Sequence, residues 1–198
     1  MKRFRLFFFS LVLGCPIIAL AQPADVAAAT STATAPAEAK QFDFLLGQWE
    51  LEVHPKVSGL AAMIHGTPRL VGTWKAWRAA DGLGIEDQMR IVDGSGNPIS
   101  LSQAQRTYAP AEGLWKISGH DVTRGRTSES TGKWQAGEMR VDGHFIDADG
   151  KTLTRTRYFG MAADSFHMQQ DRSSDNGQTW EEGSLTIDAK RVAATATP

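Results

Sequence analysis

From Phe42 onward, apolar and polar residues alternate along most of the chain with a period of two, which sends successive side chains to opposite faces of a β-strand. Ten segments carry this pattern: Gln48–His54, Arg69–Arg78, Gly84–Val92, Ala104–Tyr108, Leu114–Gly119, Thr123–Ser130, Glu138–Ile146, Thr152–Phe159, Ser165–Arg172 and Gly183–Asp188. Turn chemistry separates many of them. Asp81-Gly82, Asp93-Gly94-Ser95-Gly96-Asn97-Pro98, Asp149-Gly150 and Asp175-Asn176-Gly177 combine residues that tolerate positive φ with aspartates that bond their own turn backbone. The helical signal is confined to a single turn at Phe42–Leu46, where Asp43 suits the positive end. About ten short strands in serial hairpins predict an all-β fold, an up-and-down antiparallel β-barrel; a two-sheet sandwich satisfies the same pattern. Pro55–Pro68, with the apolar LAAMI between glycines, reads as a loop or short helix over one barrel mouth, either a lid or a packed surface loop.

Residues 1–40 lack the alternation. Lys2, Arg3 and Arg5 precede an apolar run from Leu6 to Leu20 that ends in Ala19-Leu20-Ala21, the pattern of a signal peptide cleaved before Gln22. The run is interrupted by Gly14 and Pro16 and is shorter than the roughly 20 residues that span a bilayer. The protein is therefore expected in the periplasm or outside the cell, with no integral membrane segment after cleavage. The competing reading is lipoprotein processing at Val12-Leu13-Gly14-Cys15. Cys15 is the single cysteine, so cleavage after Ala21 leaves neither a disulfide framework nor a thiolate for catalysis or metal binding. Residues 22–40 are Ala-, Thr- and Pro-rich and read as a disordered linker. Residues 41–191 form one domain of about 150 residues, and 192–198 a flexible tail. Removing residues 1–21 lowers Lys+Arg from 21 to 18 against 22 Asp+Glu, a net charge of −4. With no basic run, nothing suggests a nucleic-acid partner.

Three segments, FDFLLGQWELEV (42–53), GTWKAWRAADGLGIEDQMRIVDGSGNP (72–98) and MQQDRSSDNGQTWEEGSLTIDAKR (168–191), resemble the bacterial family catalogued as domain of unknown function 1579. The resemblance covers nearly all of Phe42–Arg191, and the last segment is its most specific part. It implies a calycin-like barrel, in the superfamily of lipocalins and fatty-acid-binding proteins, and no activity. In lipocalins the first-strand Gly-x-Trp packs at the closed end of the barrel beneath a basic side chain from the last strand. The resemblance thus implies a structural role for Gly47 and Trp49, with Lys190 or Arg191 over the indole.

Ser173-x-Asp175-x-Gly177-x-Thr179-Trp180 is similar to the Asp-box hairpin of sialidases. Each residue has a turn or packing role: Ser and Asp bond the turn backbone, Gly177 supplies the unusual dihedral, and Trp180 packs beneath. The motif locks a hairpin and carries no glycosidase chemistry.

No catalytic residue is predicted. The five histidines show no HExxH or HxH spacing, and there is no GxSxG or Gly-rich phosphate loop. Glu86-Asp87 and Glu181-Glu182 are sequence neighbours that point to opposite faces of a strand. No metal site or cofactor is expected. A binding cavity is easier to motivate. On Thr152–Phe159, the face holding Leu153 and Phe159 also holds Arg155 and Arg157, so two guanidinium groups enter the barrel if that face is inward. The same logic groups Asp87 and Met89 with Ile85 and Ile91, Met168 with Phe166, Gln170 and Arg172, Arg106 with Tyr108, and Trp74 with Leu70. An interior mixing Trp, Met and Arg suits a small amphipathic anion. The alternative is a filled barrel whose arginines pair with Asp87 and other carboxylates, serving as an envelope interaction module marked by exposed aromatics such as Trp77 or Trp134. A haem-binding, nitrobindin-like barrel would need His167, whose parity opposes Phe166 and Met168 and places it outside.

Overall fold

The computed structural model describes residues 35–57, 66 and 68–193. The expected signal peptide, most of the linker, the interior of Pro55–Pro68 and the end of the tail lie outside these residues.

Ten antiparallel strands form a closed barrel: β1 (Gly47–Pro55), β2 (Leu70–Arg78), β3 (Gly84–Val92), β4 (Pro98–Ala109), β5 (Leu114–Asp121), β6 (Arg126–Gln135), β7 (Glu138–Asp147), β8 (Gly150–Phe159), β9 (Ser165–Ser173) and β10 (Glu181–Arg191). Each strand pairs with its sequence neighbour, and β1 pairs with both β2 and β10. Closure satisfies every strand edge and excludes the sandwich.

Several expected boundaries move, among them the end of the sixth strand, from Ser130 to Gln135. The sixth strand starts at Arg126 rather than Thr123, because Oδ1 of Asp121 accepts from Thr123 N (3.0 Å) and Arg124 N (3.2 Å) and holds those residues in a turn. The fourth strand begins at Pro98, six residues before its expected start. The anticipated turn at Phe42–Leu46 is a 3-10 turn over Asp43–Leu45. A second one, Ala37–Lys40, lies inside the expected linker. Ala39 there is buried in the core and its carbonyl accepts from Arg78 (3.0 Å), so the ordered domain begins earlier than composition implied.

These two turns plug one end of the barrel. Phe42, Leu45, Trp49, Trp115, Met139 and Phe166 are fully buried there. Phe42 meets Trp115 edge-on at 4.9 Å, and Trp49 meets Phe166 at 4.8 Å; such pairs each add ~0.5–1.5 kcal/mol beyond area burial. The Trp49 indole donates to Leu45 O (2.8 Å), and the Trp115 indole to the Gln41 side chain (3.1 Å).

The last-strand cation over Trp49 is Arg191, its guanidinium 4.0 Å from the ring. It also donates to Ala163 O (2.7 Å) and Leu46 O (2.6 Å), tying the β8–β9 loop to the plug. Gly47 makes room for this side chain: its φ is 110°, and a Cβ there would lie 2.6 Å from Arg191 Nη1.

At the opposite end, the Asp-box hairpin joins β9 to β10. Ser173 Oγ donates to Asp175 (2.7 Å) and accepts from Gly177 N (2.8 Å), and Asp175 accepts from Thr179 N and Oγ1. The Trp180 indole donates to Gly177 O (3.2 Å). These bonds to Thr179 and Ser173 hold the Asp175 carboxyl down at about 2.

Candidate functional site

Above the plug the barrel is hollow. A cavity of about 270 Å³ runs from the middle of the barrel toward the end where β1, β3, β5, β7 and β9 finish. An apolar cavity of about 150 Å³ already accommodates benzene, whereas drug-sized ligands occupy about 300 Å³ and more. The space therefore suits a small molecule.

Trp74, Asp87 and Arg106 form the floor. The Trp74 indole donates to Asp87 Oδ1 (2.9 Å), and Arg106 Nε donates to Asp87 Oδ2 (2.7 Å). The Arg106 and Asp87 side chains are only 6% and 4% exposed. Beneath them the guanidinium faces the plug, 5.0 Å from the Phe42 ring. Burial opposes the charged form of Arg106, but Asp87 and Tyr158 together outweigh it and hold the group above its ordinary value. Burial likewise raises the Tyr158 phenol, against the pull of Arg106. This cation is thus already neutralised within the barrel.

The walls differ in chemistry. Val53, Leu70, Met89, Ile91 and Leu185 line the arc formed by β10, β1, β2 and β3. On the other side, β4, β6 and β8 contribute Ser100, Ser102, Ser128, Ser130, Thr154 and Thr156. Ile117 on β5 and Val141 and Phe145 on β7 interrupt the hydroxyl wall. A ligand with one apolar side and one side rich in acceptors or donors matches both arcs.

Of the sequence-derived ligand residues, Trp74, Asp87, Met89, Arg106 and Met168 line this cavity. Arg155 and Arg157 do not, which corrects the expected inward face of β8. That strand buries Thr154, Thr156 and Tyr158. Arg155 lies on the outer face, its guanidinium 3.8 Å from the Trp180 ring. Arg157 donates to both carboxylate oxygens of Glu138 (2.9 and 2.6 Å), which holds Glu138 below the ordinary carboxylate range. The misreading has a physical source: the apolar residues that suggested an inward face are covered from outside. Leu153 lies beside the Asp-box glycine, and Phe159 stacks on His167 at 5.5 Å.

His167 itself is half exposed on the outer face beside Asp188. It cannot reach the cavity, so the haem reading built on it fails. Among the described residues no cluster of three metal-ligating side chains occurs.

The mouth holds three arginines, of which only Arg172 shared a face with expected cavity residues. Arg126 stacks over Phe145 at 3.6 Å and donates to Asp147 from Nε (3.0 Å) and Nη2 (2.7 Å), and this holds Asp147 below its ordinary range. Arg124 donates to Ile99 O (3.1 Å) and lies 4.0 Å from Asp121. Arg172 donates from Nε to the Gln170 side chain (3.1 Å). Arg126 was hidden in sequence because Ser128, Ser130 and Gly132, its partners in parity, are small and give no apolar signal.

The closed up-and-down barrel aligns with solved structures. The S-type phycobiliprotein lyase from Guillardia theta aligns with a TM-score of 0.55 and 10% identity, over 78% of this chain and 92% of its own. A de novo designed fluorescence-activating β-barrel aligns with a TM-score of 0.37 and 12% identity, over 79% of this chain and all of its own. At 10% identity the likeness to the lyase is one of fold alone. No protein-family profile and no curated protein matches the chain.

Proposed function

We propose that this chain is an exported calycin-like barrel, of the bacterial family catalogued as domain of unknown function 1579, that binds a small amphipathic molecule in its open half. The observation that carries the reading is the two-walled cavity above the Trp74–Asp87–Arg106 floor. A barrel selected only for stability gains by filling such space, whereas a ligand with an apolar and a polar side is complementary to it. Export rests on the Lys2-Arg3-Arg5 cluster, the apolar run and Ala19-Leu20-Ala21. The family assignment rests on the three segments within Phe42–Arg191.

The rival, an envelope interaction module with a filled barrel, draws on the exposed Trp77 and Trp134. These indoles project from β2 and β6, which β3, β4 and β5 separate, so they form no single patch.

Native mass spectrometry of the protein purified from the periplasm, compared with its denatured mass, tests the proposal. A discrete extra mass lost on denaturation is expected, on a polypeptide beginning at Gln22. Identical masses, together with no uptake of an added amphipathic dye, would overturn the binding function. A lipidated mass beginning at Cys15 would replace the cleavage site but leave the cavity reading intact.

A further inference from the structure

We propose that the ligand carries an anionic group, a carboxylate, sulfonate or phosphate, received at the open mouth by Arg172 with support from Arg126 and Arg124. The inference rests on the binding reading above and adds the ligand's charge and its orientation.

The arginines of the barrel are mostly committed. Arg106 belongs to Asp87, Arg157 to Glu138, Arg78 to Asp43, and Arg191 to backbone carbonyls over Trp49. Arg155 covers Trp180 on the outer face. At the mouth, Asp147 answers Arg126 and Asp121 stands nearest Arg124. Arg172 is different. It is partly buried and lines the cavity, yet among the described residues no carboxylate lies within 4.0 Å of it, and its one side-chain partner is the neutral Gln170. Glu181, its register partner on β10, is exposed and outside salt-bridge distance.

A partly buried guanidinium without a carboxylate in salt-bridge contact is costly. The surroundings add to the cost: burial first, then the neighbouring Arg126 and Arg124, hold Arg172 below its ordinary value against the weaker pull of Glu181. Phe145 fixes the local geometry, with Arg126 at 3.6 Å and Arg172 at 5.6 Å from its ring. Two guanidinium groups are thus gathered at one aromatic side chain on the cavity wall. A planar or tetrahedral oxyanion placed there would accept charge-assisted hydrogen bonds and offset the mutual repulsion. The floor offers no such place, because the Asp87 carboxylate already occupies Arg106 and would repel an anion. The ligand is therefore oriented with its charge at the mouth and its apolar body against Met89, Ile91 and Trp74.

Two fluorescent probes that differ by one sulfonate test this: N-phenyl-1-naphthylamine, which is neutral, and 8-anilinonaphthalene-1-sulfonate. With the native protein at low salt, the sulfonate probe should bind about ten-fold more tightly than the neutral one. Arg172→Gln should abolish that preference, and the outer-face variant Arg155→Gln should retain it. Equal affinities in the native protein would overturn the charge assignment and leave the cavity reading standing, and this comparison needs no variant. Retention of the preference in a folded Arg172→Gln variant would remove Arg172 from the site. If neither probe binds, the binding reading and this inference fall together.

Discussion

The two halves of the barrel solve opposite problems with the same strands. In the closed half, large aromatics from several strands and two 3-10 turns leave no usable space, and Arg191 ties the loops over Trp49. In the open half, the same strands present small hydroxyl side chains on one arc and aliphatic ones on the other, and a cavity remains. The ion pair of Arg106 and Asp87 marks the boundary. If the open half binds a ligand as proposed, stability is carried below that boundary and ligand choice above it, so substitutions in the two halves should separate the two properties.

The largest effect belongs to the plug. Trp49→Ala removes a fully buried indole and its bond to Leu45, and should cost about 3–5 kcal/mol in urea unfolding. The open-half variant Ser102→Ala should change stability by no more than about 0.5 kcal/mol. Comparable losses in the two variants would break the distinction between the halves. At the boundary, Arg106→Met strands the Asp87 carboxylate in the interior and should cost about 3 kcal/mol or more. Adding Asp87→Leu should recover most of that loss, because the cost lies in the orphaned charge. If the double variant is no more stable than the single one, the floor depends on the ion pair itself.

Gly47→Ala should cost about 1–3 kcal/mol from its positive φ alone, with a further penalty where the new Cβ meets Arg191. Pairing it with Arg191→Ala should relieve the contact but not the backbone term, which thermal denaturation of both variants can resolve.

The smallest effect sits on the open rim. Asp175 has a folded pKa of about 2 against an ordinary 3.8, so its contribution is present above about 3.8 and is lost as pH falls toward 2. The Thr179 amide should lose protection from hydrogen exchange across that window while the plug amides keep theirs. Loss already complete at pH 5 would refute the Asp175 bonding scheme.

Legibility from sequence followed the same division. β2 and β3 lie on the apolar arc, where Trp74, Ile85 and Ile91 alternate with polar residues, and their spans match expectation to within one residue. The Gly47–Trp49–Arg191 arrangement and the Asp-box were readable because each of their residues has a fixed stereochemical role. β4 extends beyond its expected start through Ser100 and Ser102, which face the cavity, since a polar interior erases the alternation that marks a strand. The faces of β8 are inverted relative to expectation for the same reason: threonines point inward, and a hairpin and a histidine ring cover its outer apolar residues. The residues that make the cavity polar are thus the ones that concealed it.

The central claim, that ligands enter the open half and stop at the Trp74 floor, is tested most directly by the indole N–H signals of the six tryptophans in a 15N-labelled sample titrated with N-phenyl-1-naphthylamine. The account predicts a saturable shift of the Trp74 signal with Trp49 and Trp115 unmoved. Shifts confined to Trp77 or Trp134, or none at all, would contradict it.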